Sequence, residues 1–60
     1  MIIFYDVEVI HWMHIDGDES WEIFIDNTSD GTYETVSRAF KALERIGNIK
    51  NFTFKEYWVD

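Results

Sequence analysis

The chain has no cysteine and no proline, and only two histidines and three glycines among its 60 residues. Without cysteine there are neither disulfides nor thiolate metal sites, and two histidines are too few for most all-protein zinc sites. A reducing cytosol suits such a composition, and a cytoplasmic location is expected. No stretch approaches the roughly 18 apolar residues of a membrane span. Met1 runs into Ile2-Ile3-Phe4-Tyr5 with no basic segment, and Asp6 interrupts the run, so no signal peptide is expected. The first 31 residues also contain no lysine or arginine.

Those 31 residues hold eight acids: Asp6, Glu8, Asp16, Asp18, Glu19, Glu22, Asp26 and Asp30. The remaining residues hold four acids and all five bases, so −8 and +1 sum to the net charge of −7. That charge disfavours non-specific nucleic-acid and anionic-membrane binding. The acidic half is also rich in large apolar residues, among them Phe4, Tyr5, Ile10, Trp12, Trp21 and Phe24. Acids interleaved with aromatics point to a surface that meets another macromolecule.

Sixty residues make one domain, 1–60, that buries only about 60% of its unfolded surface. With no disulfide or metal to reinforce it, such a domain is expected to self-associate or to fold onto a partner, and a homodimer is expected at micromolar concentration. Residues 2–15 read as a long strand and 20–26 as a second, both rich in Val, Ile and aromatics. Their apolar faces coincide only if odd residues pair with odd, which requires an odd-length loop. A two-residue Asp16-Gly17 hairpin is thereby excluded, and a loop of three or five residues with a left-handed Gly17 is expected. Asn27–Thr32 reads as a polar loop full of helix N-caps. Residues 32–46 read as an amphipathic helix packing through Tyr33, Val36, Phe40 and Leu43 and stopped by Gly47. Residues 51–59 read as a third strand, with a bulge near Lys55-Glu56 or two covered faces.

The expected fold is α+β: a three-stranded antiparallel sheet, β-β-α-β, order 3-1-2, with one helix on one face. The other face is expected to show Asp6, Glu8, Glu22 and Asp26 beside Phe4, Ile10, Trp12 and Phe24.

Catalytic and metal chemistry fares poorly in this sequence. His11 and His14 lie three apart on a strand and point to opposite faces, so they cannot share one ion. Asp16-Gly17-Asp18-Glu19 is too short for a calcium loop and reads as a hairpin turn. No nucleophile elbow or phosphate loop is present. The expectation is a protein that is not an enzyme and carries no cofactor. Its partner-binding candidates are Asp6, Glu8, Trp12, Glu22, Phe24 and Asp26 on the sheet face, with Asp16, Asp18 and Glu19 at the hairpin tip.

In length, charge and order of elements the whole chain resembles the very small, acidic, cysteine-free proteins that bacteriophages make to block host enzymes. That class includes anti-CRISPR proteins and inhibitors of other defence systems such as Hachiman and Gabija. Some phage inhibitors of host RNA polymerase share a strand-strand-helix-strand layout. The resemblance implies a stoichiometric inhibitor of a host nuclease, helicase or polymerase, acting in the bacterial cytoplasm without binding nucleic acid directly. Its carboxylates either imitate nucleic-acid phosphates in a basic channel or steer an aromatic anchor into an apolar pocket. The alternative is a structural or regulatory homodimer with no inhibitory role.

Overall fold

The computed structural model describes all 60 residues, which form four strands and one helix. Strand β1 spans Tyr5–His14, β2 Glu19–Ile25, β3 Thr28–Tyr33 and β4 Ile49–Val59, and helix α1 spans Val36–Glu44. The sheet order is β3-β2-β1-β4. β1 pairs antiparallel with β2 and parallel with β4, and β2 pairs antiparallel with β3. The α+β class and the central place of β1 agree with the sequence, but the sheet has four strands and is mixed.

The first hairpin follows from parity. Val7 faces Ile25, Val9 faces Ile23 and His11 faces Trp21, all odd with odd. The His14 amide donates to the Asp18 carbonyl at 2.8 Å, leaving residues 15–17 as the loop, with Gly17 at φ +100°. Only a residue without a Cβ takes up that conformation freely.

The next turn departs from expectation. Asp26 and Asn27 both have positive φ, 50° and 67°, and Ile25 pairs with Thr28. That is a two-residue turn of the mirror-image type, whose twist suits a hairpin. The polar stretch after it is therefore an edge strand, not a capping loop. A shift in β3 between the partners of Ile23 and Phe24 then restores odd-with-odd pairing and sets Tyr33 opposite Trp21. Tyr33 is thus a strand residue, and the helix begins only after Thr35, whose side chain accepts from the Arg38 amide at 3.2 Å. The extra strand adds one reversal of the chain. The last strand consequently runs parallel to β1, not antiparallel to it.

The core is small: Val7, Val9, Ile23 and Ala39 are buried, with Tyr5, Trp21, Ile25, Tyr33, Ala42, Leu43 and Ile46 packed around them. The helix lies over β2 and β3 and leaves β4 uncovered. It seats through Ala39, because only a small side chain lets the helix backbone approach the sheet closely. Val36 and Phe40, expected as core, are 45% and 58% exposed. No bulge occurs at Lys55-Glu56, since the β1–β4 register is regular from Asn51 to Val59. No helix is long and apolar enough to cross a membrane.

Candidate functional site

The sheet face opposite the helix carries the even residues of β1 and β2. Glu8 faces Phe24, Ile10 faces Glu22 and Trp12 faces Ser20. On the other flank Thr53, Lys55 and Tyr57 of β4 stand beside Glu8, Ile10 and Trp12. Glu8, Trp12, Glu22 and Phe24 therefore share one surface, as alternation along the strands requires. Ile10 is buried there although no element covers it, because the neighbouring side chains close over it. Trp12 packs against Tyr57 with ring centres 5.4 Å apart, and its Nε1–H donates to Glu22 Oε1 at 3.2 Å. Ser29 Oγ donates to the other Glu22 oxygen at 2.8 Å. Glu8 Oε2 lies 3.1 Å from Lys55 Nζ. Its hydrogen bond and its charge raise the Lys55 ammonium above the ordinary lysine value.

Asp6, an even residue of β1 like Glu8, lines one recess with Glu8, Phe24 and Asn51 at the turn end of this face. Asp6 accepts from Asn51 Nδ2 at 2.7 Å, and its amide donates to Asp26 Oδ1 at 3.0 Å. The Asp26 amide donates back to the Asp6 carbonyl at 2.8 Å, so this pair clasps the turn end of the sheet. Asp16 and Asp18 sit at the opposite end, at the hairpin tip, where Asp16 Oδ1 accepts from the Asp18 amide at 3.0 Å. An open recess of about 550 Å³ lies beside the tip, lined by Asp18, Glu19, Glu34, His14, Gly17 and Ser20. The acids thus form a strip along a molecule 46 Å long rather than a single patch.

Glu19 belongs to a group that the sequence reading did not assemble. Its Oε1 lies 3.0 Å from His11 Nε2, and Glu56 Oε2 lies 3.0 Å from His11 Nδ1. The imidazole stacks on Trp21, with centroids 4.5 Å apart and planes 5° off parallel. A neutral imidazole has a single N–H, so both contacts are donated bonds only when both nitrogens carry protons. The available signal was His11 itself, the one non-apolar residue on the inward side of β1. Its partners come from β2 and from β4, and only the β4 register reveals Glu56.

No group of three or more His, Asp or Glu side chains is arranged to hold a metal ion. The second exposed feature is apolar. A trough of about 260 Å³ between α1 and β4 is lined only by hydrophobic residues, Val36 and Phe40 on one wall, Phe52 and Phe54 on the other, over a floor of Val9 and Trp21. Compared with known proteins, the chain matches no family model, no curated protein and no solved structure.

Proposed function

We propose that this chain is a small binding protein that acts by stoichiometric contact, inhibiting a nucleic-acid-processing or defence enzyme of a bacterial host by occupying a basic surface or channel on it. The observation that carries this reading is the segregation of charge. Strands β1–β3 and their turns hold eight carboxylates and no lysine or arginine. Of all twelve carboxylates only Glu8 has a lysine or arginine partner. Uncompensated carboxylates on strands are fixed in position by the sheet, and an array of positioned anions complements lysine and arginine on a partner. Trp12, Phe24 and Tyr57 supply ring faces among them, which acids needed only for solubility do not explain. A phage origin, as in the acidic inhibitors the chain resembles, accords with this reading.

The test uses two sets of amide substitutions, D6N/E8Q/E22Q/D26N on the sheet and D16N/D18N at the tip. Wild type is immobilised, partners are captured from bacterial lysate, and the recovered protein is titrated against all three forms. The expected result is a target with a nucleic-acid-binding channel and a loss of at least about tenfold in affinity, equivalent to about 1.4 kcal/mol, in one or both variants. Undiminished affinity in both folded variants overturns the reading. Recovery of nothing but the chain itself favours the structural homodimer.

A further inference from the structure

The two edges of the sheet are unlike. β3 is six residues long, polar and interrupted by its register shift, all features that discourage pairing with another chain. β4 is eleven residues long, the longest strand, with no proline and an unbroken register from Asn51 to Val59. Its central charges do not guard it either. Lys55 is drawn back onto β1 to Glu8, and Glu56 is drawn back onto β1 to His11.

We propose that β4 pairs antiparallel with β4 of a second copy, about a two-fold axis at Thr53, joining two four-stranded sheets into one of eight. This goes beyond the binding function above and rests on a different surface. The Ile15 amide donates to the Val59 carbonyl at 3.2 Å, so Val59 turns its polar groups toward β1. In a regular parallel pair the alternate residues do the same, which leaves Phe52, Phe54, Glu56 and Trp58 with N–H and C=O groups aimed out of the edge. Antiparallel pairing sets such outward residues opposite one another and keeps side chains of one parity on one face. Several registers meet that condition, and the side chains choose among them. With the axis at Thr53, Phe52 faces Phe54 and Asn51 faces Lys55, each twice, and threonine meets threonine at the centre, while Lys50, the extra residue where the β1–β4 register shifts, comes opposite Glu56 just beyond the regular ladder. Moving the axis to Phe54 sets Phe52 against Glu56, and moving it to Lys55 sets lysine against lysine. Glu56 uses Oε2 for His11, leaving Oε1 for the incoming lysine. Phe52, Phe54 and Trp58 are 52%, 50% and 71% exposed in the single chain. Aromatics of about 150–250 Å² each then present on the order of 350 Å² per copy, a patch size that is often functional in single-chain proteins.

The absence of native cysteine makes the register directly readable. At the axis, non-hydrogen-bonded partners have Cα atoms about 4.5 Å apart, within disulfide range. T53C should therefore form a covalent dimer on mild oxidation. N51C is the control, because its two copies would lie about 14 Å apart along the strands, beyond disulfide reach. The expected result is dimer formation at least about tenfold faster in T53C than in N51C, together with a wild-type dimer in sedimentation at micromolar concentration. Equal rates, faster linking in N51C, or a wild-type monomer by sedimentation overturns the proposal. The wild-type measurement stands even if a cysteine variant fails to fold, and neither measurement depends on a target being found.

Discussion

His11 holds more of this fold together than any other polar residue. It is 9% exposed in a protein with six buried residues, and it joins β2 to β4 across β1 through two carboxylates and a stacked indole. Removing it breaks two charge-assisted contacts to half-exposed acids and uncovers Trp21. We expect His11→Ala to cost about 1–3 kcal/mol in urea unfolding, a large share of the stability of so small a domain. Unchanged stability would show that the bridge is incidental. Lys55 gives a second test at this scale. Its raised value means that the Glu8 contact stabilises fully through neutral pH and up to the ordinary lysine value, and is lost as pH climbs through the folded one. The melting-temperature difference between wild type and Lys55→Gln should be small and level through neutral pH, then vanish in strong alkali. A difference that instead grows with pH would contradict the pairing. Phe40 shows what the residue scale hid. Its spacing matched a core stripe, yet the helix turns Ala39 inward. Phe40→Ala should therefore cost less than about 1.5 kcal/mol, against about 2–5 kcal/mol for the fully buried Ile23→Ala. Equal costs would show that the trough is closed in solution.

At the scale of elements, one turn decides the architecture. Strands β1 and β2, their odd-odd register, the left-handed Gly17 and the existence of a helix were legible because apolar alternation and parity constrain them strongly. Strand β3 was not legible. Thr28-Ser29-Asp30-Gly31-Thr32-Tyr33 lacks an apolar face, since as an exposed edge it buries little, and its polar residues resemble helix caps. What makes it a strand is the Asp26-Asn27 turn, and Asp-Asn is a weaker sequence signal than Asn-Gly or Asp-Gly. Missing that strand reversed the direction of β4 and placed the helix start too early. Asn27→Val puts a β-branched residue at φ 67° and should cost about 1–3 kcal/mol in thermal unfolding, while Asn27→Gly should be neutral or stabilising. Tolerance of valine would mean that the turn is not what holds β3 in place.

The whole molecule divides into an anionic β1–β3 meander and an apolar, mixed-charge side made by α1 and β4. The charge division was visible in the sequence because it is a matter of counting. The placement of Glu8, Trp12, Glu22 and Phe24 on one face was visible because strand parity dictates it. Glu19 turning inward to His11 follows from the same odd parity, although the residue reads from its neighbours as part of the hairpin tip. Asp6 clasping Asp26 was not visible, because it depends on contacts between segments distant in sequence and on a turn whose type had not been recognised. The apolar trough was missed for the same reason: it exists only because the helix sits to one side of the sheet. The two surfaces are compatible in one assembly, with β4 at the two-fold axis and the acidic strips of both copies facing outward. The central claim is that the carboxylates of β1–β3 do the binding. Its most direct test is calorimetric titration of the recovered partner at low and high salt, with wild type and with D6N/E8Q/E22Q/D26N combined with D16N/D18N. If these carboxylates make the contact, wild-type affinity falls steeply with salt, as multiple ion contacts require, and the amide form binds weakly with a shallow dependence. Equal affinity and an equal salt slope in the two proteins, both folded by circular dichroism, would contradict the claim.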